Sequence, residues 1–154
     1  MERNESNESA NVIVVDYREE GRLQHSFQHL RITDLAFDDV LVRLRNAIQD
    51  ENIMVLHEVD AQAILGNSNY KIGPARQILF FHLRLMARLL HGDTAALLEA
   101  PLKFSVIGSG DRVFVRWQDP EPSFARYGSE ALAELGSELS MVCKRIAYAA
   151  LGKE

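Results

Sequence analysis

The segment from Arg76 to Pro120 constrains the fold of this chain more than any other part. It begins with an apolar strand that ends at His82, continues through a short helix, and returns as two strands separated by a glycine turn. Apolar and polar residues alternate in both returning strands, Leu102–Val106 and Val113–Trp117, which predicts an antiparallel hairpin with one covered face. A hairpin beside a helix indicates an α+β domain.

The rest of the sequence extends this pattern to the element order β, β, α, β, short α, β, α, β, β, α. The β-branched run Val12–Val15 and the extended stretch Leu23–Ile32 are predicted to pair as a hairpin. Apolar stripes at helical spacing predict a helix over about 34–51, capped by Thr33 or Asp34, and a final helix over about 124–151. We therefore predict an α+β fold in which an antiparallel-rich sheet carries helices packed on one face.

Composition limits the class of protein. The 154 residues predict a single domain over residues 11–154, behind a polar tail over residues 1–10 that is expected to be disordered. A net charge of −5 and scattered basic residues argue against nucleic-acid binding. The single cysteine, Cys143, excludes an intramolecular disulfide and a thiolate-rich metal site. No membrane-spanning stretch or signal-peptide pattern is found, so we expect no membrane association and a cytoplasmic location.

Four local phrases stand out along the chain: Val59–Ala63, Ile78–His82, Ala100–Val106 and Trp117–Pro120. In this order and spacing, they resemble the DUF302 (TT1751-like) family from about Phe27 to Tyr127. The resemblance implies a small α+β fold and a homodimer, and the apolar stripe from Leu132 to Ile146 independently suggests a homodimer. The family's Asn-Pro turn after the third core strand is replaced here by His82 and its neighbours.

His82 is the main candidate ligand for a metal or haem iron. A histidine that follows an apolar strand can supply one axial imidazole in an apolar slot. Arg84 and Arg88, one helical turn apart, could pair with the haem propionates, and Met86 is a possible soft ligand. The alternative is a structural histidine hydrogen-bonded to backbone at the start of a helix. The residues expected to line the slot are Ile78, Phe80, Leu85, Met86 and Leu89.

The remaining candidates are less specific. His57 is expected on the same strand face as Val55 and could be a second ligand if its strand neighbours that of His82; otherwise it is a half-buried sheet histidine. His25 and His29 lie roughly 13 Å apart along a strand, too far to chelate one ion, and are interpreted as surface residues. Cys143 is interpreted as a buried, inert thiol because no local pattern supplies a base.

The functional hypothesis is a non-enzymatic small-ligand-binding or sensory domain, with haem bound through His82 as its specific form. No complete catalytic motif is present, so no catalytic residue is assigned. One alternative is an enzyme that uses His82 or His57 as an acid or base. The other is a purely structural domain that binds a protein partner.

Overall fold

The computed structural model describes residues 11–18 and 24–154. The strands are β1 (Ile13–Val14), β2 (Gln28–Thr33), β3 (Met54–Asp60), β4 (Tyr70–Lys71), β5 (Ala75–Phe81), β6 (Leu102–Ser109) and β7 (Arg112–Gln118). The helices are α1 (Phe37–Asp50), α2 (Ala61–Gly66), α3 (Leu83–Gly92), α4 (Pro120–Ala125) and α5 (Glu130–Leu151), with a 3-10 helix over Thr94–Glu99. Five strands form an antiparallel sheet in the order β2-β7-β6-β5-β3, which confirms the α+β prediction. The tail predicted over residues 1–10 lies outside the described residues.

Two hydrophobic clusters hold the elements together. The larger one lies between one face of the sheet and the helices α1 and α5, with Phe104 and Trp117 among its sheet residues. The smaller one joins the end of β5 to α3, the 3-10 helix, α4 and the first half of α5. Both clusters contain large apolar side chains that are almost fully buried. Because burial of apolar surface is the dominant favourable term in folding, the clusters are the main source of stability.

The apolar stripe of α5 is buried within this chain. Leu132, Leu135 and Leu139 belong to the smaller cluster, whereas Val142 and Ile146 belong to the larger one. All five side chains are buried, so the stripe is not available to a second copy of the chain. The homodimer stays a prediction that now depends on other surfaces, such as the sheet edges, and sedimentation velocity at micromolar concentration tests it.

Three predictions about local structure are wrong. The first two strands do not form a hairpin: β1 pairs in parallel with β4, and β2 pairs with β7. The predicted helix over 124–151 is two helices, because Gly128 has a left-handed φ of 69° and Ser129 then caps α5. Neither Thr33 nor Asp34 caps α1; its N-cap is Ala36, which forms no side-chain capping bond.

None of the helices in the described part of the chain combines the length and the apolar character that a membrane crossing requires.

An ion network joins α1 to the sheet. Arg45 donates two hydrogen bonds to Glu58, at 2.7 and 2.8 Å, and Arg76 contacts both Glu58, at 3.2 Å, and Asp60, at 3.0 Å. The hydrogen bond from Arg45, with further help from Arg76, holds the pKa of the Glu58 carboxyl below its ordinary value even though burial opposes this.

We expect this ion network to make the free energy of unfolding depend on pH in the acidic range. A carboxyl whose pKa is lowered by folding stabilises the folded protein above its unfolded pKa, and that contribution is lost as the pH falls through the lower, folded value. The Glu58 contribution should therefore be complete above about pH 4.5 and disappear below it. Unfolding of the wild type and Glu58→Gln from about pH 6 to about pH 3 should show a stability gap that narrows with acid. A gap that stays constant would contradict the assignment.

Candidate functional site

The slot expected around His82 is divided between the two hydrophobic clusters. Ile78 and Phe80 are buried in the larger cluster, whereas Leu85, Met86 and Leu89 belong to the smaller one. These side chains already pack against neighbours, so the structure does not bring them together around one cavity. The depression that His82 does line measures about 260 Å³, and Met54, Phe81 and Leu83 also line it.

His82 itself is the N-cap of α3. Its Nδ1 accepts a hydrogen bond from the backbone N–H of Arg84 at 3.0 Å, so in the neutral ring Nε2 carries the proton. Arg84 is exposed, and the Arg88 guanidinium forms an ion pair with Glu138 at 2.7 Å. These contacts match the alternative of a structural histidine at a helix start. Haem ligation by His82 stays a prediction that no cavity in the described residues supports.

His57 lies on the opposite sheet face from the one predicted. A bulge between Val55 and His57 changes the register of β3, so His57 pairs with Leu79 while Val55 pairs with Phe80. The prediction that His57 and Val55 share a face is therefore wrong. β3 and β5 are neighbours, but the register separates His57 from His82 by three residues, or roughly 10 Å along the strand. No group of three His, Cys, Asp or Glu side chains in the described ranges could hold a metal ion.

A larger groove lies between the edge strand β2 and the second half of α5, and we call it the β2–α5 groove. Its volume of about 910 Å³ falls in the range of small-molecule sites. Its aromatic and aliphatic lining consists of Trp117, Ala147, Tyr148 and Ala149. Its polar and charged lining consists of His29, Arg31, Glu51, Lys144, Arg145, Lys153 and Glu154.

Trp117 and His29 form the inner end of the β2–α5 groove. The antiparallel register of β2 and β7 places these two residues opposite each other on one sheet face. Their rings stack with centroids 5.0 Å apart and an interplanar angle of 24°. Phe104 meets the other side of Trp117 edge-on, with centroids 5.4 Å apart. The indole is therefore fixed from both sides, and the groove is supported directly by the larger hydrophobic cluster.

Asp119 fixes the tautomer of His29. The His29 Nε2 lies 3.0 Å from Asp119 Oδ2, and both side chains are largely shielded from solvent. Because a carboxylate can only accept, Nε2–H donates this bond and the neutral ring keeps a lone pair on Nδ1. His29 therefore offers Nδ1 as an acceptor when neutral and as a donor when protonated. His29, interpreted from the sequence as a surface residue, is partly exposed, and it has a specific partner in Asp119.

Asp119 is itself held in place by the start of α4. Its Oδ1 accepts a hydrogen bond from the backbone N–H of Glu121 at 3.0 Å, as a helix N-cap does. Burial acts to raise the pKa of Asp119, but the bonds from Glu121 and His29 and the nearby hydroxyl of Ser140 lower it overall. The Ser140 hydroxyl acts without a well-formed hydrogen bond. A charged Asp119 is thus the favoured partner of His29.

The site lacks the arrangement of a nucleophilic enzyme. In a serine or cysteine triad the histidine lies between the nucleophile and the acid, whereas here Asp119 lies between His29 and the buried Ser140. Burial, followed by the charge of Asp119, raises the pKa of the Cys143 thiol to about 12. This supports the interpretation of Cys143 as an inert thiol. His29 can therefore act in this site as a hydrogen-bonding group.

Comparisons with known proteins agree with the fold. The family model described as "Domain of unknown function DUF302" matches residues 29–146. No curated protein matches the chain. A crystal structure of an uncharacterized conserved DUF302 protein from Bacillus stearothermophilus has a TM-score of 0.71 at 16% sequence identity, covering 82% of this chain and 97% of its own. At this identity the structural likeness concerns the fold alone, but the family model spans well over half of the sequence, and the chain belongs to the DUF302 family.

Proposed function

We propose that this protein is a small-ligand-binding domain whose ligand occupies the β2–α5 groove. The observation that carries the proposal is the groove itself: about 910 Å³, with an apolar wall, charged side chains around it, and His29, which Asp119 holds, at its inner end. Three other depressions lined by described residues are smaller, at about 600, 260 and 220 Å³. Aromatic and aliphatic side chains beside polar groups that can orient a ligand are typical of a ligand site.

The walls of the groove are held before any ligand arrives. Arg145 on α5 forms two hydrogen bonds with Glu51 at the end of α1, at 2.9 and 3.0 Å. Arg31 on β2 donates to the backbone carbonyl of Gly152, just beyond the end of α5, at 2.6 Å. These contacts tie the edge strand and both helices together. Because a pre-organised site loses little entropy on binding, this geometry supports a binding role.

Haem bound through His82 is kept as a separate and more specific proposal. It is motivated by the position of an imidazole after an apolar strand, and it requires the ring to give up the capping bond, because Nε2 can bind iron only when Nδ1 carries the proton. Addition of haemin to the untagged protein tests it by absorbance. A Soret band that shifts in the wild type but not in His82→Ala would support it, and the absence of any shift would eliminate it.

The groove proposal is tested with Nile red, a neutral apolar dye whose emission rises in apolar sites. We expect saturable binding to the wild type and a loss of affinity of at least about fivefold in Tyr148→Ala, which removes an aromatic wall of the groove. Tyr148 is 58% exposed, so this change should leave the fold intact. The measurement is a fluorescence titration of each purified protein.

The matched control for this titration is Leu83→Ala. Leu83 is also an exposed large apolar residue, at 76%, but it lies beside His82. Nile red affinity should be unchanged in this variant. The proposal would be overturned if Leu83→Ala weakened the dye while Tyr148→Ala did not.

A further inference from the structure

We infer that the ligand of the β2–α5 groove is a small organic anion. Its body is apolar and about the size of an aromatic ring system, and it carries one carboxylate or a similar acid group. This inference rests on the proposed function and adds the chemical class of the ligand. It follows from the combination of an apolar inner end with a cationic rim in a protein that is acidic as a whole.

The charge of the groove is opposite to that of the chain. The net charge of the protein is −5, yet the lining of the groove carries four cationic side chains and two acidic ones. Glu51 and Arg145 compensate each other through two hydrogen bonds, which leaves Arg31, Lys144 and Lys153 against Glu154 in the lining. A cationic patch beside apolar walls attracts anions more strongly than the protein's overall field repels them, because surface charges act over about 10 Å or less.

Two lysines are available for an acid group. Lys144 on α5 and Lys153 beyond its end line the groove, and neither has an acidic partner among the residues that the structure describes. His29, at the inner end, adds a hydrogen-bonding group for the body of the ligand, since its Nδ1 has no protein partner in the described ranges. An acid group at the rim can thus meet the two lysines while the body of the ligand lies against Tyr148.

The apolar part of the groove suits a flat ring. Trp117 and His29 already show the stacking geometry that aromatic ligands use, and Tyr148 provides a second aromatic wall. The volume accommodates a molecule of two fused rings. A ligand with a charged head and an apolar ring matches both the cationic side chains and the apolar side chains of the lining. A simple inorganic anion would match only the cations, and a neutral hydrocarbon only the apolar side chains.

The test compares two competitors with the same ring body. 2-Naphthoate carries a carboxylate, whereas 2-naphthalenemethanol replaces it with a neutral alcohol. In displacement of Nile red from the wild type, we expect 2-naphthoate to compete about 3- to 10-fold more tightly, and this advantage should shrink with added salt. In the double variant Lys144→Gln, Lys153→Gln the two competitors should become equal, each measured against the Nile red affinity of that same variant.

Lys71→Gln is the control for general charge effects, since Lys71 lies on β4 and outside the groove lining. It should leave the preference for 2-naphthoate unchanged. If the two naphthalenes competed equally in the wild type, the anion inference would be overturned. Saturable binding of Nile red would in that case still support the groove as a ligand site. No saturable binding of Nile red to the wild type would remove the proposed function and this inference together. A preference lost equally in Lys71→Gln would also overturn the assignment to the rim lysines.

Discussion

Trp117→Ala should lower the free energy of unfolding by about 3–5 kcal/mol. The variant protein that remains folded should no longer bind Nile red. Trp117 is 5% exposed, belongs to the larger hydrophobic cluster, and contacts both His29 and Phe104 through its ring. Its removal therefore leaves a cavity in the core and deletes the inner end of the β2–α5 groove. Urea unfolding and the dye titration measure the two effects separately.

Trp117→Phe separates ring packing from hydrogen bonding. The indole Nε1 is buried and has no hydrogen-bond partner among the described residues, so its loss should cost nothing by itself. A phenyl ring keeps the stack with His29, and we expect a stability loss of no more than about 2 kcal/mol. If Trp117→Phe were as unstable as Trp117→Ala, the packing explanation of this residue would be contradicted.

Gly136→Ala should destabilise the protein by about 1–3 kcal/mol, although alanine is the better helix former. Gly136 lies inside α5, and a Cβ at this position would lie 2.7 Å from the Cβ of Phe124 and 2.9 Å from the carbonyl oxygen of Pro120. These atoms belong to α4 and cannot move without shifting that helix. Because Asp119 caps α4, the shift should also disturb the bond between Asp119 and His29. Thermal unfolding measures the loss.

Gly66→Ala is the matched control for Gly136→Ala. Gly66 ends α2, and an added Cβ there would have no neighbour within 4 Å. This variant should be neutral or more stable by up to about 1 kcal/mol, since alanine reduces the entropy of the unfolded chain. A stabilised Gly136→Ala protein would show that α4 and α5 are not in close contact, contrary to this structure.

The elements that could be predicted from sequence are those whose pattern is local. Alternation identifies the β6–β7 hairpin, and helical spacing identifies α1, because each element buries one face by itself. The parallel pair β1–β4 could not be predicted, since each strand has two residues and tertiary contacts decide the pairing. The bulge in β3 likewise leaves no periodic signal, yet it moves His57 to the other face. The left-handed Gly128 divides one apolar stripe into two helices.

The candidate site was harder to predict than the fold. His29 and Asp119 are separated by 90 positions and meet only because β2 pairs with β7, which no local pattern indicates. One signal was present: an acidic residue between a strand and Pro120 is typical of a helix cap, which places Asp119 beside the last strand. The apolar residues around His82 in the sequence predicted a ligand slot, but in the structure they pack within the two hydrophobic clusters.

The central claim is that the β2–α5 groove is the ligand-binding surface, and amide chemical-shift mapping tests it most directly. Addition of 2-naphthalenemethanol to ¹⁵N-labelled protein should shift the amides of Arg31 and Tyr148 and the indole N–H of Trp117, because all three residues line the groove. Shifts that instead cluster at Met54, His82 and Leu83, around the depression beside α3, would contradict the claim.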